Sequence, residues 1–415
     1  MDAREAERLL LDLELFGMRF GLDRMFKLTT ALGMPQRRFA SVHVVGTNGK
    51  SSTVRMIAAI LQRHGLRTGS FTSPHLRSFA ERIEVGEKPV SGADFGAAVG
   101  RAWQAAKLVN RTLPDDDEVT QFELLTAAAY HELARREVEV AVVEAGLGGR
   151  YDATNVIPSK VQVLTGVGLE HTRWLGPAIA DIAEEKLAVV RDHGLLVLPA
   201  KLAPDAEQVA ARVARERTAT VVRAAPEETG FPLRARGAFQ RANFALAEAA
   251  AEGFLGRELD RGAVRRAAAE LEVAGRLQLV GKRPLTLYDG AHNPAGARAL
   301  AGSLPELLAG RPLTLVLSVL EDKDAAAMLA ELVPLARRVV LTRCANPRAL
   351  SPATLESLVA KLPGAPAAET VADPSAAVAR ARELAAEGGA VLATGSIYLI
   401  ADLVRDPASV RASTL

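Results

Sequence analysis

The sequence is poor in cysteine. Cys344 is the single cysteine among 415 residues, which excludes an intramolecular disulfide and a metal site built from several cysteines. A chain without disulfides fits a reducing compartment. The polar residues 1–7 are not typical of a signal peptide. We therefore expect a cytoplasmic protein.

Long apolar runs and an excess of one charge are also missing. Basic and acidic side chains number 51 and 49, for a net charge of +2, so the composition favours neither a nucleic-acid nor an anionic-membrane partner. No uninterrupted apolar run reaches the roughly 18 residues of a membrane span. With 49% hydrophobic and 24% charged residues, the composition is that of an ordinary globular protein.

Short β-branched runs alternate with amphipathic stretches along most of the chain. The pattern predicts strands at residues 42–45, 138–144, 161–165, 285–289, 313–319, 339–342 and 390–394. It predicts helices at 54–64, 122–136, 178–192, 240–252, 295–304, 325–332 and 376–386. Apolar strands separated by helices indicate parallel sheets covered on both faces, so we expect an α/β protein.

A domain boundary is predicted near residues 272–284, where a new series of strands and helices begins. We expect a larger domain over residues 1–274, a linker over 275–283 and a smaller, Rossmann-like α/β domain over 284–415.

The strongest local signal is a glycine-rich turn between a predicted strand and a predicted helix. Its residues are Gly46, Thr47, Asn48, Gly49, Lys50, Ser51 and Ser52. In such a turn backbone N–H groups close around phosphate oxygens, and the following helix adds its positive end. Lys50 would reach the terminal phosphates, and Ser51 or Ser52 would offer a hydroxyl to Mg²⁺. The pattern predicts binding of a nucleoside triphosphate, so we expect residues 1–274 to be an ATP-binding, P-loop-type ATPase domain with a mostly parallel sheet. The alternative is a tight turn with an incidental lysine.

Several titratable residues stand at or just beyond predicted strand ends, where open α/β sheets bind their ligands. Glu144 ends one strand, and His171 follows the next strand along the chain. A carboxylate there can hold Mg²⁺, although a turn-capping carboxylate and a structural histidine are the alternatives. Asp289 ends a later strand, with His292 in the same turn. Lys186, by its local sequence alone, is a solvated helix lysine.

With these motifs in this order, the chain resembles the folylpolyglutamate synthase/dihydrofolate synthase family of the Mur ligase superfamily. The phosphate turn alone indicates only the superfamily, whereas Ser73-Pro74-His75 and the glycine-rich residues 146–155 indicate the folate branch. Other matching segments are residues 21–24, 81–82, 121–123, 171–172, 185–186, 240–243, 275–276, 289–294, 322–324 and 394–396.

The resemblance implies a ligase that uses ATP to join L-glutamate to a folate, to dihydropteroate or to both through an acyl phosphate. It implies ATP contacts by Gly46 to Ser52, Asn243, Arg276 and Asp289, with Lys50, Lys186 and His292 as catalytic residues. One or two Mg²⁺ ions would be held by Ser51, Ser73, Glu144 and His171, next to a carbamylated Lys186. Pteroate would contact Gly21, Leu22, Asp23, Arg24, Thr120, Gln121, Phe122, Glu123, Tyr151, Asp152 and Ala153. We expect a monomer.

Two positions depart from the family pattern, and two other functions compete with this one. Ser51 stands where the family usually has glycine, and Glu170 replaces the usual aspartate before His171. One rival is a peptidoglycan-type amino-acid ligase acting on a nucleotide-sugar substrate, which the folate-branch segments disfavour. The other is a nucleotide-binding regulator, which would be expected to lose Lys50, Glu144 or His171.

Overall fold

The computed structural model describes residues 1–13, 20–224 and 230–405 of the chain. These residues form two compact units. Unit 1 comprises Met1–Pro232 and Arg241–Leu271, and unit 2 comprises Leu233–Gln240 and the described residues from Glu272 onward.

Unit 1 is built on an eight-stranded sheet in the order β4-β3-β2-β5-β1-β6-β7-β8. The six strands from β2 to β8 in that order pair in parallel, and β3 and β4 extend one edge antiparallel. The strands are β1 (Ala40–Val45), β2 (Thr68–Phe71), β3 (Ile83–Val85), β4 (Lys88–Pro89), β5 (Val140–Glu144), β6 (Val161–Leu164), β7 (Leu195–Leu198) and β8 (Thr220–Arg223).

Helices cover both faces of this sheet because its central strands are apolar on both sides. Every residue of β5 and β6 is buried. The helices before residue 272 are α1 (Ala3–Asp12), α2 (Asp23–Ala31), α3 (Lys50–Arg63), α4 (Gly92–Asn110), α5 (Gln121–Arg135), α6 (Thr172–Leu175), α7 (Ile179–Leu187), α8 (Pro204–Glu216), α9 (Ala238–Leu255) and α10 (Arg261–Glu270). Helices α1, α2, α4 and α5 contribute to one apolar core, and α7 and α8 to another.

Unit 2 has a six-stranded sheet in the order β13-β12-β11-β14-β10-β9, parallel except for β9. Its strands are β9 (Gln278–Lys282), β10 (Leu285–Tyr288), β11 (Leu313–Leu317), β12 (Arg338–Leu341), β13 (Ala368–Thr370) and β14 (Ala390–Thr394). Its helices are α11 (Pro294–Leu308), α12 (Ala325–Leu332), α13 (Pro352–Val359), α14 (Pro374–Ala385) and α15 (Ile397–Val404). These elements enclose an apolar core of their own.

The prediction of an α/β protein with mostly parallel sheets is confirmed. Two local expectations differ from the structure. The helix expected at residues 178–192 ends at Leu187, since the chain must turn before β7 begins at Leu195. Much of the segment expected to be a linker, residues 275–283, forms β9. Along the described part of the chain, no helix is long and apolar enough to cross a membrane.

Gly96 lets the N-terminal helix dock on α4. A methyl group at this position would lie 2.5 Å from the carbonyl oxygen of Met1 and 2.7 Å from the carbonyl carbon of Asp2. Asp2 caps α1 through a reciprocal pair of bonds with Glu5, so the clash falls on a fixed backbone rather than on a flexible side chain.

We predict that Gly96→Ala lowers the free energy of unfolding by about 1–3 kcal/mol, as overpacking does elsewhere. Amide hydrogen exchange in α1 should accelerate. The matched control is Gly302→Ala in α11, where nothing lies within 4 Å of the added methyl and about 0.5–1 kcal/mol should be gained. Unchanged exchange in α1 would show that Gly96 is not needed for docking.

Candidate active site

The phosphate turn leaves β1 at the carboxyl edge of the sheet and enters α3 at Lys50. Gly49 has φ of 86°, a left-handed conformation that glycine adopts at little cost, and its missing side chain admits the amide of Asn243. The Lys50 ammonium donates to the carbonyls of Gly46 and Thr47 at 3.0 and 3.2 Å. The carbonyl of Asn48 accepts from Thr165 at 2.6 Å. The turn therefore presents a cation and a helix N-terminus at one place.

Glu144 ends β5 beside this turn and gathers two of the predicted metal ligands. Its Oε1 accepts from the Ser51 hydroxyl at 3.0 Å, and its Oε2 accepts from the Ser73 N–H at 3.1 Å. Ser51 rather than the buried Ser52 faces the carboxylate. A carboxylate with hydroxyl and carbonyl oxygens around it is a hard donor set of the kind that Mg²⁺ takes together with phosphate oxygens and water. These residues fit the ion.

His171 follows β6 in the chain, directly precedes α6, and is exposed. Among the residues that the structure describes, no three His, Cys, Asp or Glu side chains are grouped as a metal site. A Mg²⁺ ion here would thus depend on Glu144, hydroxyl oxygens and ligand oxygens, and the assignment of His171 stays a prediction.

Lys186 is buried, with 2% of its surface exposed, rather than solvated as its local sequence suggests. Its ammonium donates to the Gly46 carbonyl at 2.9 Å and to Glu170 Oε1 at 2.8 Å. Burial opposes ionisation of Glu170, but Lys186 and Lys50 outweigh it and lower the pKa of the Glu170 carboxyl to about 2. Burial also lowers the pKa of Lys186, which Glu170 opposes. The longer carboxylate at position 170 therefore holds Lys186 against the phosphate turn.

Two of the predicted pteroate contacts, Arg24 and Glu123, form a buried ion pair. Arg24 Nε lies 3.0 Å from both carboxylate oxygens of Glu123, and its Nη1 lies 3.1 Å from Asp117. Glu123 also closes a capping box with Thr120 at the start of α5. These polar groups join α2 to α5 and so fix the segment that carries Gly21, Leu22 and Asp23. Gln121 likewise donates to the Leu10 carbonyl at 2.8 Å.

Asp152, another predicted pteroate contact, is enclosed by its own segment. One carboxylate oxygen accepts from the Leu147 N–H at 2.9 Å, and the other accepts from the Thr154 N–H at 3.0 Å and from the Thr154 hydroxyl. Burial raises the pKa of Asp152, and these donors oppose that rise. Asp152 thereby caps the short 3-10 helix Ala153–Val156. Its carboxylate is engaged with the protein itself.

Exposed aromatic rings gather around the predicted pteroate segments. Phe20 lies 6.0 Å from Tyr151 and 5.7 Å from Trp174 between ring centroids, and each of the three is at least 41% exposed. Phe122 stacks on Phe71 at 6.0 Å. Sequence analysis missed Phe20 and Trp174; an aromatic residue directly beside a recognised motif is the signal that could have found them.

In unit 2 the predicted residues meet at the end of β10. Asp289 is buried and accepts from the Leu277 and Ala291 N–H groups at 2.9 and 2.8 Å. Burial raises the pKa of Asp289, and Arg276 opposes that rise. His292 Nδ1 lies 2.9 Å from the Gly290 carbonyl. Asp289 therefore ties the strand end to the segment of Arg276, while contact of either residue with ATP stays a prediction.

Comparison with known proteins identifies the family of this chain. A family model described as Mur ligase, glutamate ligase domain, matches residues 275–397. The dihydrofolate synthase/folylpolyglutamate synthase of Bacillus subtilis is 32% identical over 94% of this chain and 95% of its own length. The protein of that name from Mycobacterium tuberculosis is 38% identical over 79% of this chain and 75% of its own length. The chain belongs to the dihydrofolate synthase/folylpolyglutamate synthase family.

Solved structures of this family share the fold. A folylpolyglutamate synthase from Mycobacterium tuberculosis complexed with ADP and AMPPCP gives a TM-score of 0.90 at 33% identity, covering 98% of this chain and 99% of that one. Escherichia coli FolC in complex with DHPP and ADP gives 0.86 at 27% identity, covering 97% of each chain. The family predicted from the motifs is confirmed.

The ion pair between Lys186 and Glu170 has a testable pH dependence. Since the pKa of Glu170 falls from 4.5 to about 2 on folding, the pair stabilises the protein fully above pH 4.5, and this stabilisation is lost as the pH falls toward 2. Glu170→Gln should cost about 3–5 kcal/mol at neutral pH, because it leaves the Lys186 cation buried without its partner.

Denaturant unfolding in the presence of a chelator measures this cost. The difference between wild type and Glu170→Gln should be present at neutral pH and shrink as the pH falls below 4.5. Glu216→Gln, at an exposed pair with Arg212, serves as the control and should change little. A cost for Glu170→Gln that does not vary with pH would contradict the ion pair.

Proposed function

We propose that this protein is an ATP-dependent ligase that adds L-glutamate to a folate, to dihydropteroate or to both. The observation that carries the proposal is the meeting of the phosphate turn with Glu144. The ends of three adjacent parallel strands, β2, β5 and β1, bring two features together. One is Lys50 at the start of α3, and the other is the cluster of Ser51, Glu144 and Ser73. Family membership and the glutamate ligase match over residues 275–397 support the reaction class.

The reaction must activate a carboxylate whose oxygen is a poor leaving group. A carboxylate oxygen of the folate substrate attacks the γ-phosphorus of ATP, the bond to the bridging oxygen breaks, and ADP leaves. The amine of glutamate then attacks the acyl carbon, loses a proton and displaces inorganic phosphate, leaving an amide. Two anions approach each other in the first step, so the Lys50 cation and the N–H groups at the start of α3 lower its barrier.

We propose that Mg²⁺ binds at Glu144, Ser51 and Ser73, with His171 as a further ligand. When bound, the ion would neutralise charge on the phosphate oxygens. The hydrogen bonds that the Ser51 hydroxyl and the Ser73 N–H donate to Glu144 support this placement, because they bring both serines to the carboxylate.

For the folate substrate, we propose that its aromatic part packs on the exposed rings of Tyr151, Phe20 and Trp174. Planar aromatic ligands gain from such contacts both apolar burial and favourable ring geometry. Arg24, Thr120, Gln121 and Glu123 use their polar groups to fix the surrounding backbone. Any contact of these residues with the substrate would add to that structural role.

Two finer features complete the proposal for the active site. We propose that Lys186 is carbamylated in the loaded enzyme, which its burial and lowered pKa support and which requires release from Glu170. We also propose that Arg276, Asp289 and His292 serve the reaction from unit 2, and that the enzyme is a cytoplasmic monomer.

Release of ADP from ATP and glutamate tests the function. Turnover should require a pteroyl acceptor, with dihydropteroate and tetrahydrofolate offered separately, and should fail with a nucleotide-sugar peptide acceptor. Lys50→Ala should lower turnover about 100-fold or more by removing a charge-assisted contact to phosphate. Lys201→Ala, at an exposed lysine, is the control. Turnover by a folded Lys50→Ala variant at the wild-type rate would remove Lys50 from the mechanism.

Carbamylation of Lys186 is tested by ¹³C NMR with labelled bicarbonate in the presence of ATP analogue and Mg²⁺. Wild type should show a carbamate carbon signal, and Lys186→Arg, which keeps the charge but cannot form a carbamate, should not. Glu170→Asp should strengthen the signal because the shorter carboxylate reaches Lys186 less well. A wild-type spectrum identical to that of Lys186→Arg would show that the lysine stays an ammonium.

A further inference from the structure

Three buried polar side chains of unit 1, His43, Thr154 and Asp152, form a hydrogen-bond chain. His43 Nε2, on β1, lies 2.8 Å from the Thr154 hydroxyl oxygen. Thr154 in turn donates its hydroxyl hydrogen to Asp152. None of the three side chains is more than 6% exposed, so water does not compete for these bonds and each group depends on its neighbour.

The direction of the hydrogen bonds follows from the carboxylate at one end. A carboxylate only accepts, so Thr154 donates to Asp152 and its oxygen accepts from His43. His43 therefore carries its proton on Nε2. Within the described residues, Nδ1 of His43 has no hydrogen-bond partner, and burial together with Arg191 lowers the pKa of His43 to about 3. The imidazole is neutral and has one defined tautomer.

Asp152, at one end of this hydrogen-bond chain, fixes the turn that follows Glu144. Asp152 accepts from the N–H of Leu147, at the start of the turn, and from the N–H of Thr154, beyond its end. Residues 146–152 are thus held as a loop closed on the Asp152 carboxylate. Tyr151, the exposed ring proposed to face the pteroyl group, is part of this loop.

His43, at the other end of the hydrogen-bond chain, lies on β1, the strand that leads into the phosphate turn. His43 is two residues before Val45, the last residue of β1, and pairs with Val143 of β5. One hydrogen-bond chain therefore links the strand that leads to the ATP phosphates with the loop at the other substrate. A further tie, from the Tyr130 hydroxyl to the Thr154 carbonyl at 2.9 Å, anchors its middle.

We propose that His43 and Thr154 are positioning residues for the pteroyl substrate. They act through Asp152 and set the place of residues 146–152 relative to the phosphate turn, without touching the substrate. The inference rests on the proposed function and adds to it which buried groups determine substrate affinity. The rates of reactions between two bound substrates are sensitive to displacements of about 1 Å, so greater mobility of residues 146–152 should change the kinetics measurably.

Paired variants separate the hydrogen bonds from simple packing. His43→Gln keeps an N–H donor near the position of Nε2, whereas His43→Met fills the space without one. Thr154→Ser keeps the hydroxyl, and Thr154→Val removes it at nearly constant shape. Ser41→Ala is the control, because Ser41 is buried on the same face of β1 and its hydroxyl has no partner among the described residues.

Steady-state kinetics should show a split between the two substrates. We expect His43→Met and Thr154→Val to raise KM for the pteroyl substrate about tenfold, the typical effect of one lost buried hydrogen bond, while KM for ATP stays within about twofold. The Gln, Ser and Ser41→Ala variants should stay close to wild type. Equal changes in both KM values, or equal damage by the conservative variants, would overturn the proposal.

Amide hydrogen exchange at Leu147 gives a second readout that needs no activity. Exchange should accelerate in Thr154→Val but not in Thr154→Ser or Ser41→Ala. Unchanged exchange in Thr154→Val would contradict the role assigned to the hydrogen-bond chain. If His43→Met does not fold, the Thr154 pair decides the matter alone. If wild type shows no pteroyl-dependent ADP release, the proposed function fails, and the exchange result still tests the hydrogen-bond chain.

Discussion

The buried carboxylate of Glu144 organises unit 1. With 2% of its surface exposed, it would be costly to keep in the protein without donors, and the Ser51 hydroxyl and the Ser73 N–H supply them. These donors come from the start of α3 and from the loop after β2, so one side chain holds three segments at the carboxyl edge of the sheet. The Glu144 carboxylate and the Ser51 hydroxyl oxygen that donates to it also suit a hard cation.

Two lysines, Lys50 and Lys186, supply positive charge at the phosphate turn and differ in how they are enclosed. Lys50 lies over the phosphate turn and donates to the carbonyls of Gly46 and Thr47, which carry no net charge, so its own charge can act on an incoming anion. Lys186 is more deeply enclosed, and Glu170 balances its charge. The site can therefore attract a polyphosphate through one lysine while the other maintains the shape of the turn.

Sequence patterns were sufficient where function is local. The phosphate turn follows β1 directly and Glu144 is the last residue of β5, so their chemistry and their edge of the sheet follow from the order of residues. Other features depend on contacts between distant segments. Arg24 and Glu123 are 99 residues apart, and their pairing gives these two expected ligand contacts a structural role as well. Lys186 becomes buried because its segment packs on Gly46, 140 residues away.

The choice between Ser51 and Ser52 shows a similar limit. Both hydroxyls fit the phosphate-turn pattern, and only the direction of α3 relative to β5 brings Ser51 to Glu144. Phe20 and Trp174 each lie within two residues of a recognised motif, but only the fold shows that the two rings lie together and beside Tyr151. The structural roles of Asp152 and Asp289 likewise emerged from their backbone partners.

The central claim is that this site activates a carboxylate by phosphoryl transfer before the amine attacks. Transfer of ¹⁸O tests it most directly: the pteroyl substrate is labelled in the reacting carboxylate, and the inorganic phosphate formed with ATP and glutamate is analysed by mass spectrometry. The account predicts one ¹⁸O atom in each phosphate released during ligation. Phosphate free of label, formed at the same rate as the amide product, would contradict it.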